Sequence, residues 1–513
     1  MNRSMTNTGR SWIDQQKAGD FSVWLIGLLI AAPVLVLLFH GELRLVITFV
    51  FVAILAMAWI YNRTVGLMAS FVFLIALGDI RRIADMLVGP APGSDTLLIV
   101  GAIVTIYISL PLFFGLKLSD NTSKAVLALM AVMVLEIFNP RQGPLAVGLA
   151  GALFYIIPFL WFWIGRQYAT EKILYALIYK VFVPLGVIAA LLGIVQTYIG
   201  FLPWEEIWVK SMGHMYELSA GHFRSFGFST NTIEYTSVLL IATTCIIAAF
   251  LNGRRTYILL LAIMLPAILL ASSRGLIVKL VFTCAMLWAV LGKKGKAWIP
   301  RLIFALVLGL GLIVYSATRA ESSSDTVETE DVTTAQSATS HVTGGLAHPF
   351  DEKHSTAGFH VQIIGEAILR GFTYPIGYGL GSVTLAANKF SGENAAMVSS
   401  EFDISDAFTA MGFVGGLLYL YIVLVILRDA MEYTRTGPST LSLPILGILV
   451  GLIGGWTGLG QYPVGPFMMF LLGFIVRNKA MKTVPDKVKN KGKSRNTLGS
   501  KPRITPVLPQ PSQ

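Results

Sequence analysis

Long apolar runs separated by short polar stretches dominate this chain of 513 residues. At ~1.5 Å of rise per residue, a helix needs about 20 apolar residues to cross the ~30 Å hydrocarbon core of a bilayer. Runs of that character fall at about 22–40, 43–61, 64–78, 96–116, 125–138, 145–164, 173–200, 232–251, 256–271, 275–291, 299–316, 405–427, 441–459 and 463–476. They predict an all-α polytopic membrane protein with about 14 transmembrane helices, because only helices satisfy a lipid-embedded backbone from within one segment. The third, fifth and last runs are short, which leaves the count open by one pair. Residues 1–21 carry Arg3, Arg10, Asp14, Lys17 and Asp20, and no convincing small-residue cleavage site follows, so the first run reads as a retained span.

Basic residues sort to one side of this pattern. With the N-terminus in the cytoplasm, the connections holding Arg63, Lys117 and Lys124, Arg166 and Lys172, Arg254 and Arg255, Lys293, Lys294 and Lys296, and Arg428 and Arg435 all fall inside. So does the tail 478–513, with nine basic residues between Lys479 and Arg503. Both termini are therefore expected in the cytoplasm, with helices 1–11 over 22–316 and helices 12–14 over 405–477. Two polar segments then lie outside, 201–231 and the large loop 317–404. Within the loop, the acidic Ser/Thr-rich stretch 321–345 has no apolar period and is expected to be a disordered tether. Residues 354–370 place Phe359, Ile363, Ala367 and Arg370 at helical spacing, which predicts an amphipathic helix over the membrane face.

Composition narrows the class. Hydrophobic residues make up 55% of the chain and charged residues 13%, against roughly 25% charged in a soluble domain. A soluble enzyme is excluded. The net charge of +11 does not point to nucleic acid, since most of the excess is topology and tail. Cys245 and Cys284 both sit in apolar runs, so neither a disulfide framework nor a cysteine zinc site is expected. No metal and no cofactor are expected.

A few arginines on the external side break the charge pattern. Arg274 occupies the turn Ser272-Ser273-Arg274-Gly275, where the glycine is expected to permit a tight bend. The segment before it, 256–271, spans only about 24 Å, so Arg274 is expected at or below headgroup level, where charge is costly and usually functional. Arg224 lies among aromatics and glycines in GHFRSFGFSTN, 221–231. A guanidinium presents a planar fork that matches phosphate oxygens, and two facing one external cavity suit a pyrophosphate. Arg81 and Arg82, with Asp79 and Asp85, form a third group that local ion pairing explains more simply. Gly377-Tyr378-Gly379-Leu380-Gly381 does not follow a strand in a βαβ unit, and is read as a turn fitting a saccharide or lipid surface.

Four segments resemble elements of the O-antigen ligase and O-antigen polymerase superfamily, in the expected order. FRSFGFSTNTIEY (223–235) looks like its Arg-x-x-Gly-x-Phe-x-x-Pro-Asn element, with Thr230 where proline is usual, and ASSRGLIVKL (271–280) like its Ser-Arg-Gly element. EAILRGFTYPIGYGLGS (366–382) is similar to its helix and glycine turn, and EFDISDAFTAMGFVGGLL (401–418) to its segment ending in Gly-x-x-Gly. Together they cover about the C-terminal half. Ligases of that superfamily place a His-Asn pair shortly before the closing Gly-x-x-Gly, where this chain has Glu401 and Phe402. The departure favours a polymerase-like member.

The resemblance implies a metal-independent membrane glycosyltransferase at the outer face of a bacterial cytoplasmic (inner) membrane, with its active site towards the periplasm. Donor and acceptor would be undecaprenyl-pyrophosphate-linked glycans, polymerised into exopolysaccharide, capsule or O-antigen. Membrane lipids and other polysaccharide-assembly proteins are the further partners. Arg224 and Arg274, and less directly Arg81 and Arg82, would bind the pyrophosphate leaving group. A general base for the acceptor hydroxyl would come from Glu401, Asp403, His354 or His360, with the Glu401/Asp403 pair preferred and Asp406 a further carboxylate. Three other readings remain open at this point: an O-antigen-type ligase, a flippase or transporter for lipid-linked saccharide, and a noncatalytic envelope scaffold. Most spans lack the midpoint charges and repeated halves of a transporter.

Overall fold

The computed structural model describes residues 42–91, 95–116, 118, 120–212, 218–219, 222–291, 299–309, 357–390, 398–457 and 462–483, with isolated positions between 311 and 347. The run expected at 22–40, almost all of the acidic stretch 321–345, His354 with the start of the amphipathic segment, and the tail beyond 483 lie outside the described residues.

Among the described residues the chain is helical, apart from a two-residue ribbon pairing Leu218–Ser219 with His222–Phe223. The helices run α1 (Leu43–Tyr61), α2 (Arg63–Val88), α3 (Val100–Phe113, entered through a 3-10 turn at Thr96–Ile99), α4 (Asn121–Glu136), α5 (Leu145–Tyr168), α6 (Glu171–Tyr198, with a π-helical turn at Leu177–Phe182), α7 (Pro203–Met212) and α8 (Thr232–Leu251). They continue as α9 (Arg255–Leu270), α10 (Arg274–Val290), α11 (Ile299–Gly309), α12 (Ala357–Thr373), α13 (Leu385–Phe390), α14 (Asp403–Thr436), α15 (Ser439–Gly451) and α16 (Val464–Thr483). Eight of these, α1, α2, α3 with its 3-10 lead, α5, α6, α8, α14 and α16, are long and apolar enough to cross a membrane. The protein is a helical membrane protein.

Helix starts follow local chemistry. Asn62, Asp120, Asn231 and Ser273 each cap a helix, with side-chain oxygens accepting from amides two or three residues on. Ion pairs mark the two ends of the bundle. At one, called here the site end, Arg44 at the start of α1 meets Asp85 in the last turn of α2 at 2.6 Å and Asp95 before α3 at 2.9 Å. At the opposite end Arg166 meets Asp120 at 2.9 Å, and Lys479 meets Asp429 at 2.6 Å.

Two helices stop short of the site end. Gly451, the last residue of α15, lies against Thr283, nine residues into α10 and so about 14 Å from its start. Gly465 of α16 packs on Pro158, thirteen residues into α5, about 20 Å from that helix's start. Residues 452–457, which follow α15, therefore turn inside the bundle.

Residues 398–411 dip toward this turn, and Gly412 makes the return. Its φ of 64° and ψ of −163° break α14 in two. In a straight helix Asp403 and Tyr419 would be about 24 Å apart, yet the Tyr419 hydroxyl donates to the Asp403 carboxylate at 3.2 Å. Phe408 packs on Gly416 in the same fold-back. The break leaves backbone groups unpaired, and the glycine turn takes them up: Tyr378 N donates to Thr409 O (2.9 Å), Gly379 N to Ala410 O (3.0 Å), and Phe413 N to Pro375 O (3.2 Å). The glycines that read as a ligand surface are thus used for packing, with Gly377 against 410–412, Gly379 against Gln142 and Gly381 against Val147. The amphipathic helix, observed as α12, lies on α14 through Ala367, Gly371 and Phe372, the last stacked on Phe408.

A Cβ at Gly412 would fall 1.9 Å from the Pro375 carbonyl oxygen. Gly412→Ala should therefore cost about 2–5 kcal/mol, combining a left-handed backbone penalty with overpacking. Gly358→Ala, at a position with open space around it, should be neutral or mildly stabilising. Equal melting temperatures for the two variants in detergent would count against the fold-back at Gly412.

Candidate active site

Arg81 and Arg82 occupy the last turns of α2, which continues to Val88, past the run expected to end at about 78. Charges end a hydropathy window but not a helix whose charges are paired. Arg81 bonds to Asp95 and shares it with Arg44. Arg82 is 1% exposed; it donates to the Ser229 carbonyl at 2.6 Å and to Asp79 at 3.0 Å, with its guanidinium 4.0 Å from the Phe226 ring centre and 4.6 Å from that of Trp208. Its terminal nitrogens hold the chain before α8 in place instead of facing a cavity.

That chain, 223–231, carries Arg224. Gln196 of α6 accepts from the amides of Phe226 (3.0 Å) and Gly227 (2.9 Å) and donates to the Gly227 carbonyl (3.0 Å) and Glu205 (2.7 Å). Burial pushes the Glu205 carboxyl up from its ordinary range, with nearby Asp79 adding to the rise, against the pull of the Leu202 amide, Gln196 and Arg82. Gly227 sits at φ 53°, where a Cβ would meet the Tyr235 ring at 3.0 Å. Arg224, half-buried, leaves this fixed loop at the site end.

Arg274 is the first residue of α10, one residue after the capping Ser273, and is half-buried at the same end. The bend before it belongs to Ser272 (φ 49°), not to Gly275 as the composition of the turn suggested. The N-terminal amides of α10 and the Arg274 charge are both positive, and both favour an anion beside them. α8 and α10 pack side by side, so the Arg224 loop and Arg274 stand on neighbouring helices.

The candidate bases separate. Glu401 sits at φ 62° with 60% of its side chain exposed, and its carboxylate lies 4.0 Å from His360 Nδ1 of α12. A non-glycine residue in that region stores backbone strain, typical of functional positions. Asp403 turns the other way. It is 3% exposed and accepts from Thr457 N at 2.7 Å and from Tyr419. Glu401 and Asp403 thus point apart: Glu401 faces His360, while Asp403 ties α14 to the turn before α16. Asp406 is enclosed by Ser399 and Ser400, accepting from Ser400 N at 2.6 Å and from the two hydroxyls.

Around Asp403 the structure gathers residues that sequence reasoning passed over. Tyr155 of α5 and Lys279 of α10 both lie within electrostatic reach of it. Lys279, the only charged residue between Arg274 and Leu291, was visible as a lone cation inside an apolar run. Tyr462 stands just before α16, half-buried. An apolar pocket lined by Leu74, Gly101, Phe154 and Pro158 opens beside Tyr462 and Thr457.

Neither a scan of protein-family models nor a search of curated proteins finds a match for the chain.

Arg82→Ala should cost about 3–5 kcal/mol, because Asp79 loses its partner and the loop before α8 loses its clamp. Thermal unfolding in detergent, with limited proteolysis of the 201–231 region as a local readout, checks this. Wild-type melting and protection would show that the clamp is dispensable.

Proposed function

We propose that this protein polymerises polyprenyl-pyrophosphate-linked oligosaccharide repeats at the outer face of a bacterial cytoplasmic membrane. The observation that carries the reading is the gathering, at one end of a membrane bundle, of an anion-favouring helix start at Arg274, the Arg224 loop and the Glu401–His360 pair. Charge supports the orientation. The opposite end carries Arg63, Arg166, Lys172, Arg254, Arg428 and Lys479, the excess expected of a cytoplasmic side. The site end then faces outward, both termini lie inside, and the shorter helices α4, α9, α10, α11 and α15, with the run at 22–40, complete 14 spans.

In this scheme the acceptor sugar hydroxyl loses its proton to the Glu401/His360 pair and attacks the anomeric carbon of the donor. The bond to the lipid pyrophosphate breaks, and that leaving group gains negative charge beside Arg224, Arg274 and the α10 amides. Lys279, held near Asp403, adds a cation deeper in the bundle.

Arg224→Ala and Arg274→Ala should each lower polymer formation about 100-fold or more, the scale of losing one preorganised charge-stabilising donor, while protein level and the lipid-linked single repeat persist. Gel analysis of cell-surface polysaccharide reads the outcome, and normal chain lengths in both variants would sink the proposal. In a deletion strain, a single repeat accumulating outside supports polymerisation. Full polymer lacking its final acceptor would indicate a ligase, and a repeat trapped inside a flippase.

A further inference from the structure

A second arrangement at the site end stands apart from the reacting groups. Tyr374 and Tyr378, at the start and middle of the glycine turn, pack edge to face with ring centres 5.1 Å apart. The guanidinium of Arg141, from the connection between α4 and α5, lies 4.3 Å from the Tyr374 ring centre and 5.9 Å from that of Tyr378. Tyr374 is 38% exposed, Arg141 is exposed and Tyr378 half-buried. Among the described residues Arg141 has no carboxylate partner.

The backbone under these side chains is fixed. Tyr374 N bonds to Arg370 O at 2.9 Å, Gly377 N to Tyr374 O at 2.8 Å, and Tyr378 N to Thr409 O at 2.9 Å. Asn139 holds both sides together, donating to the Gly377 carbonyl at 3.2 Å and accepting from Arg141 N at 3.0 Å. Preorganised tyrosines offer a large amphipathic contact at low entropic cost, and their hydroxyls and the guanidinium supply hydrogen bonds around flat ring faces. A sugar has the complementary form, with an apolar C–H face and a rim of hydroxyls. The position fits a glycan too. Tyr374 follows α12, fourteen residues beyond His360, about 21 Å along the helix. At that distance only a chain of several sugars engages both places.

We propose that Arg141, Tyr374 and Tyr378 form a saccharide-binding platform that holds the glycan of a lipid-linked substrate at sugars remote from the reacting bond, and so sets polymer length. The length-setting role rests on the polymerase reading; the binding does not. The probe is soluble oligosaccharide released by partial acid hydrolysis from the polysaccharide of the cell that makes this protein, added to the full-length protein in detergent and followed by saturation-transfer NMR. Tyr374→Ala and Tyr378→Ala should weaken binding about tenfold, the scale of losing one aromatic contact, and Tyr378→Phe should keep most of it. In cells the alanine variants should shorten the polymer while still consuming single repeats.

Wild-type binding and wild-type chain length in both alanine variants would overturn the platform. So would a loss of inserted protein, or of affinity for phosphatidylglycerol vesicles, with saccharide binding unchanged, which would make the cluster an interfacial anchor. If Arg224→Ala and Arg274→Ala polymerise normally while the tyrosine variants lose saccharide binding, the polymerase reading falls and the saccharide site stands.

Discussion

A peptide group inside a bilayer has no water to bond, so a chain can leave helical geometry there only where protein supplies the missing partners. In this protein that exchange is made at Gly412. The break in α14 gives up helical bonds from the 409 and 410 carbonyls and the 413 amide, and the turn after α12 returns three bonds to the same groups. The side of the site end that carries the carboxylates and the glycine turn is set by this exchange. It fixes the fold-back that brings Asp403 to Tyr419, the seating of α12 on α14 that brings His360 toward Glu401, and the posture of Tyr374 and Tyr378. The small residues around it are a consequence: Gly416 admits the Phe408 ring, and Gly377 and Gly381 admit backbone.

Hydropathy alone located most helices, because the length of an apolar run reports directly on bilayer thickness. It failed where charges are paired or where the chain reverses. Asp79, Arg81, Arg82 and Asp85 look like the end of a span, yet α2 continues to Val88, since Arg44, Asp95 and the Ser229 carbonyl neutralise them from elsewhere in the chain. The polar segment 201–231 likewise hides α7, with Glu205 buried against Gln196. The two glycine motifs were visible as motifs, but their purpose was not, because Gly377 and Gly412 are explained by backbone of the other's segment. Among the candidate residues, Arg224, Arg274, Glu401 and His360 were all named from sequence; the pairing of the last two, and the inward turn of Asp403, are tertiary facts with no local signal.

The arginines of the site end illustrate how burial sorts identical side chains. A guanidinium taken out of water needs its charge answered, and for Arg82 the answer is internal: a carboxylate, a carbonyl and two aromatic faces. Arg81 and Arg44 divide Asp95 between them. These groups stabilise the protein and are poorly placed to bind anything else.

Arg274 is different in kind, because its immediate helical surroundings oppose it. A cation at the first position of a helix is of the same sign as the partial charges on the first amides, and this arrangement costs a few tenths to about 1 kcal/mol relative to an acidic residue there. α10 therefore begins in the electrostatically poorer way, with an uncharged serine as its cap and an arginine where an aspartate or glutamate would be favoured. An anion relieves that opposition, since it is attracted by the guanidinium and by the amides together. Its position at a membrane end also limits what the anion can be attached to. In the proposed scheme, a ligand that carries phosphate on a lipid would be delivered to that depth by its own tail, and the helix start would have only its headgroup to recognise.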